Sequence, residues 1–157
     1  MNAPSQPETA TDKQAVLKRL TENVPYVRYM GVQVEIKGDE LTCVLPFEEK
    51  LIGNPLIRAL HGGVTAAFLE ITAHVGLTWH AVCNDQLDLS ETKLSLPKTI
   101  DFSVDYLRTG LPRDAYARAR VTRAGRRYAS VNVEAWQDTR SRLFAQATGH
   151  FLMPNRT

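Results

Sequence analysis

The sequence predicts an α+β domain: a curved antiparallel sheet wrapped around one long, buried helix. Three observations point there. Residues 62–81 are apolar on nearly every helical face, with Val64, Phe68, Leu69, Ile71, Val75, Leu77 and Trp79 spread around the wheel, and a helix of that kind is covered on all sides. Two later stretches alternate with period two and carry a small-residue face: Ala115, Ala117, Ala119 and Val121, then Ala129, Val131, Val133 and Ala135. Such a face leaves room for something bulky against it. The element order (a helix, two strands, a long helix, a strand meander) suits one sheet closing over a central helix.

Taken in order, residues 1–12 are rich in Pro, Ser, Thr and Gln at their start and form an expected disordered extension, with one domain over 13–157. Thr11 or Asp12 can cap a first helix whose apolar stripe is Val16, Leu17 and Leu20. Pro25 opens the short segment YVRYMG, which Gly31 can stop. VQVEIKGDELTCVLPF reads as a hairpin turning around Lys37-Gly38-Asp39. Glu48 to Leu60 reads as a loop, and the central helix follows from about Gly62 to about Ala81. NDQLDLSETKLSLP is a polar loop or insertion. TIDFSVDYLR, AYARARVTR, RYASVNVEAWQD and LFAQATGHFLM are the strands of the meander, with a turn at Ala124-Gly125.

The chain of 157 residues is 43% hydrophobic and 23% charged, with a formal charge of +2. That charge is too small to argue for nucleic acid, although arginines crowd residues 108–127. Cys43 and Cys83 match no metal or redox spacing and are expected as reduced thiols. No basic and apolar leader opens the sequence, and Glu70, His74 and His80 interrupt the longest apolar run. A cytoplasmic location, with no membrane and no nucleic-acid partner, is the expectation.

Glu70 carries the chemical argument. Its helical neighbours are Ala66, Ala67, Ala73, His74 and Leu77, so three alanines leave space beside a carboxylate. The bland alternative is a glutamate facing water. On an otherwise apolar helix partial burial is expected, and burial disfavours the charged form, which suits general-base chemistry. At the helix start stand His61, Gly62 and Gly63. The first N–H groups of a helix lack internal partners and carry the positive end of its dipole. A glycine there lets a carbonyl oxygen approach and be polarised by backbone alone; the competing explanation is tight packing. Glu70 lies nine positions beyond His61, about 13.5 Å along the axis. If both groups act on one carbonyl, they must come from two chains, and a homodimer with shared sites follows.

NPLIRALHGGVTAAFLE, TIDFSVDYLR, RARVTRAGRRYASVNVEAWQD and ATGHFLM, in that order, resemble the hotdog-fold acyl-CoA thioesterases of the phenylacetic-acid-pathway type. The resemblance spans about Tyr26 to Leu152. It implies the hotdog fold, hydrolysis of an acyl-CoA thioester with no cofactor beyond the coenzyme A of the substrate, and a dimer or a dimer of dimers. It implies Glu70 as nucleophile or water-activating base, Gly62 N–H as carbonyl polariser with Gly63 beside it, and His61 orienting loop or substrate. Thr99 matches a hydroxyl supplied by the neighbouring subunit. Members carry an asparagine six residues before the histidine and a glycine three before it. Pro55 and Arg58 occupy those places here, and Asn54 can fill the asparagine's role through a one-residue insertion.

Coenzyme A brings a pyrophosphate and a 3′-phosphate, which call for planar cationic donors. Arg108, Arg126 and Arg127 are the candidates, with Arg123 behind them; Arg118 and Arg120 read as a solvated strand face. His74 is a pocket neighbour of Glu70, and no histidine grouping suggests a metal. Two other readings compete. A hotdog hydratase or dehydratase would carry a longer histidine-phenylalanine-proline loop, which RALHGGV lacks. A non-catalytic acyl-CoA-binding module would have no use for a carboxylate beside a small-residue cavity.

Overall fold

The computed structural model describes residues 10–84, 86 and 95–154. The extension expected over 1–12 lies outside them at 1–9, and most of the polar insertion does so as well. Helix α1 (Ala10–Asn23) starts one to two residues ahead of the expected cap and buries Val16, Leu17 and Leu20. Helix α2 (Pro25–Met30) begins on a proline, whose missing N–H would have no helical partner there. It ends at Gly31, which adopts φ 75 and returns its N–H to Val27 and Arg28.

Strands β1 (Gln33–Lys37) and β2 (Glu40–Leu45) form the expected hairpin, paired Lys37 to Glu40 across the turn at Gly38, φ 61. The expected loop over 48–60 is more ordered than its sequence suggests. It holds a 3-10 turn (Glu49–Leu51) and a small ladder of β3 (Ile52–Asn54) with β4 (Ala59–Leu60). Strands of three and two residues lie below the length at which period two can be read, which is why the pattern did not reveal them.

Helix α3 (Gly62–Cys83) follows at once and buries Phe68, Leu69, Ala73, Val75 and Leu77. Strands β5 (Lys98–Tyr106), β6 (Ala115–Ala124), β7 (Tyr128–Trp136) and β8 (Leu143–Leu152) complete a six-stranded antiparallel sheet, ordered β1-β2-β6-β7-β8-β5. The small-residue faces of β6 and β7 meet α3, as the alternation requires. Contact is so close that a Cβ at Gly76 would lie 2.5 Å from that of Ala119. The opposite sheet face is polar: Arg118 reaches Glu40 and Thr42 at 2.9 and 2.8 Å, and Gln146 donates to Asp105 at 3.0 Å. Arg118 is therefore a paired, partly buried cation within the sheet. Among the described residues no helix is long and apolar enough to cross a membrane.

Strand β5 is an edge. It pairs with β8 alone, and Ile100, Tyr106 and the following Leu107 are each at least half exposed. A long edge strand with exposed apolar groups is a surface that proteins rarely leave uncovered.

Candidate active site

The first half of the site forms where β4 runs into α3. His61 caps the helix: its Nδ1 accepts the Gly63 N–H at 2.9 Å, and its carbonyl accepts the Thr65 N–H at 3.1 Å. With Nδ1 so used, a neutral His61 carries its proton on Nε2. Gly53 exists because of this histidine, since a Cβ there would lie 2.5 Å from the His61 Cα. Gly63 is explained likewise: a Cβ there would press on Nδ1 at 3.0 Å and break the cap. Gly62 is different. A Cβ at 62 would make only ordinary contact, 3.6 Å, with the Tyr106 ring, so packing within the chain does not demand a glycine. As the first helical residue, its N–H meets no carbonyl within the helix. Tyr106 donates its hydroxyl to the Gly62 carbonyl at 2.8 Å and steadies this end of α3 from the last residue of β5.

The second half lies two turns along. Glu70 is partly buried, as its apolar helix suggested. The Thr99 hydroxyl donates to its Oε1 at 2.5 Å, and His74 Nε2 stands 3.3 Å from the same hydroxyl oxygen. The resemblance assigned Thr99 to the neighbouring subunit's contribution; here it serves the Glu70 of its own chain. The reason is topological: β5 runs antiparallel to α3, so its first residues lie beside Glu70 and its last beside Gly62. The His74 ring packs edge-on against Phe151, 5.1 Å between centroids. Burial pushes the His74 pKa down, against the opposing pull of the Glu70 charge.

Eight residues of helix, about 12 Å, separate Gly62 from Glu70. One chain therefore does not bring the two halves together at a single carbonyl. The arginines are divided too. Arg127 accepts the Met153 N–H at 2.7 Å and precedes Tyr128, which is registered with Leu152, itself opposite Lys98 at the start of β5. Arg126 and Arg127 thus belong to the Glu70 end. Arg108, whose N–H donates to Phe144 O at 3.0 Å, belongs to the Gly62 end, about 23 Å away along β5. There it lines a surface cleft of about 250 Å³ with Thr109, Asp138, Arg142 and Phe144. Asp138 in that cleft is already held by Arg113 at 2.6 Å.

The side-chain oxygen of Asn54 turns back on its own loop, accepting the N–H groups of Leu56 and Ile57 at 3.1 and 3.4 Å. Arg58, at the place of the family glycine, takes the left-handed conformation a glycine would, φ 49, and is held by a forked ion pair to Glu49. Burial pushes the Cys43 thiol up to about 12, an inert core group. Sequence reasoning missed Tyr106 and Arg142. Each lies at the end of a strand pattern already recognised, but only the fold brings it to the helix start or the cleft. Among the described residues no cluster of His, Cys, Asp or Glu could hold a metal ion.

This architecture and these residues have relatives. A family model described as Thioesterase superfamily matches residues 58–143, from the loop before the histidine to the start of β8. The medium/long-chain acyl-CoA thioesterase YigI is 32% identical in Escherichia coli K12 and 31% in Salmonella typhimurium LT2, over 83% of this chain and 86% of each relative. Among solved structures, a Shewanella oneidensis protein related to the thioesterase superfamily superposes with TM-score 0.77 at 28% identity, covering 96% of this chain and 100% of that one. A phenylacetic acid degradation-related protein from Ralstonia eutropha JMP134 shares the fold, with TM-score 0.65 at 23% identity, covering 87% of this chain and 98% of that one. The antiparallel sheet over a central helix is the hotdog architecture of these relatives, and the chain belongs to the thioesterase superfamily.

Proposed function

We propose that the protein hydrolyses acyl-CoA thioesters at a site shared between two copies of the chain. The observation that carries this is Glu70: a partly buried carboxylate, hydrogen-bonded by Thr99, among small side chains on the helix whose first N–H is open. Glu70 takes a proton from water as the water oxygen bonds to the thioester carbon. The oxyanion so formed meets the Gly62 N–H, and its collapse expels the coenzyme A sulfur, which takes the proton held by Glu70 and leaves as thiol. The same carboxylate can instead attack the carbon itself and be freed by water. Label found in the Glu70 side chain after a single turnover in ¹⁸O-water would identify the carboxylate as the nucleophile.

Shared sites suit the edge strand. Antiparallel pairing of β5 with β5 of a second copy, centred between Phe102 and Ser103, would set Thr99 of one copy opposite Tyr106 of the other. Glu70 would then face the Gly62 of the second copy, and Arg126 and Arg127 would join Arg108 and Arg142 at one end. Those guanidinium groups would hold the phosphates of coenzyme A. His61, capped through Nδ1, offers Nε2–H to the substrate, and Asn54 shapes the loop at the same mouth. The YigI relatives act on medium and long acyl chains, which supports that class of acyl group. The thiol-bearing composition supports a cytoplasmic setting. Turnover of a panel of short, medium, long and aryl acyl-CoAs, followed as released thiol, tests the reading; no release from any of them would refute it.

A further inference from the structure

We propose that His74 is a positioning residue: with Thr99 it forms a one-way hydrogen-bond chain that holds one oxygen of Glu70 and presents the other to water. The inference rests on Glu70 being the reactive carboxylate. A Thr hydroxyl has one proton, and an ionised carboxylate can only accept. At 2.5 Å from Oε1, the Thr99 proton is committed to Glu70. The Thr99 oxygen therefore turns lone pairs toward His74 Nε2 at 3.3 Å, and that nitrogen must supply the hydrogen.

The other ring nitrogen agrees. His74 Nδ1 is buried without a hydrogen-bond partner. A proton there would be a buried donor with nothing to meet, and Nε2 and Oγ1 would face each other as two acceptors. With the proton on Nε2, Nδ1 is left as a bare acceptor in an apolar wall, the less costly arrangement. Burial lowers the His74 pKa and so favours the neutral imidazole, which has one proton to place. Phe151 fixes the ring plane, and His74 stands one helical turn beyond Glu70. Around the imidazole, α3 contributes the Glu70 charge, β5 contributes Thr99 and β8 contributes Phe151. Glu70 is the one charge shown acting on it among the described residues.

The chain His74 Nε2–H to Thr99 O–H to Glu70 thus runs in one direction, and each bond strengthens the next. It occupies Oε1 and leaves Oε2 for water. The sequence placed His74 beside Glu70 on one helix but could not link either to Thr99 of the same chain, which lies 25 and 29 positions from its two partners.

The test uses the full-length protein with His74→Leu, His74→Gln and Thr99→Val. Leucine keeps the volume and loses the donor. Glutamine can place an amide N–H near the position of Nε2. His74→Leu should lower kcat about tenfold with KM changed less than about twofold. His74→Gln should recover most of the rate. Independently of turnover, ¹⁵N-edited spectra of the wild-type protein should show the Nε2–H tautomer for His74, disturbed in Thr99→Val. An Nδ1–H tautomer, a Gln variant as impaired as the Leu variant, or a His74→Leu effect carried by KM with kcat unchanged would each overturn the proposal. Wild-type protein that turns over no acyl-CoA would refute the hydrolase reading instead, while the tautomer would still decide the hydrogen-bond chain.

Discussion

Replacing Gly62 with proline deletes one hydrogen, the N–H proposed to polarise the thioester carbonyl, and the structure says the fold should tolerate it. Proline is favoured at the first helical position, where its missing N–H leaves no helical bond unmade. The residue before a proline must be extended, and His61 already is, at φ −63 and ψ 132. A Cβ at 62 meets the Tyr106 ring at 3.6 Å, an ordinary contact, and the Tyr106 bond to the Gly62 carbonyl is untouched. Because proline also restricts the unfolded chain, Tm should be unchanged or slightly raised. Loss of one oxyanion donor costs about a hundred- to a thousandfold in kcat. Gly62→Ala, which keeps the N–H, should retain far more activity. Thiol release for the rate, with calorimetry for Tm, makes the comparison. A folded Gly62→Pro protein with near-wild-type kcat would refute the polarising role.

The same variant tests the shared site. In a mixed dimer of Gly62→Pro with Glu70→Ala, one site carries both lesions and the other neither. Co-refolding the two inactive variants should restore about a quarter of wild-type activity for random pairing and independent sites. Mixed dimers that form and stay inactive would mean that Glu70 works with donors of its own chain.

Three further expectations follow from named contacts. Glu70→Gln should lose about a hundredfold or more in kcat while still binding substrate, and near-normal hydrolysis by the folded variant would remove the mechanism. Paired alanine replacements, Arg108 with Arg142 or Arg126 with Arg127, should raise KM for acyl-CoA more than for the matching acyl-pantetheine, with the difference shrinking as salt rises; equal effects on both substrates would reduce these arginines to structural roles. Gly76→Ala forces a Cβ to 2.5 Å from that of Ala119 and should cost about 1–3 kcal/mol by overpacking, read as a lowered urea midpoint.

What could be read without the fold was periodic. A helix apolar all round has to be enclosed, and strands that alternate alanine and valine with polar residues have to turn the small face toward it, so α3, β6 and β7 and their contact were legible from spacing alone. Glu70, His61, Gly62 and Gly63 were legible for the same reason: on one helix, sequence distance converts directly into ångströms and angle. Strand order has no such conversion. That β5 lies at the edge beside β8 decides that Thr99 reaches Glu70, that Tyr106 reaches Gly62 across 44 positions, and that Arg108 and Arg127 stand at opposite ends of the sheet. The short β3–β4 ladder, a separate two-stranded sheet, and the left-handed Arg58, paired with Glu49, had no signal in their local residues either. Local periodicity determines which side of an element is buried, whereas contacts between elements far apart in sequence depend on which strands pair, and that is settled by the joint packing of the whole sheet on its helix.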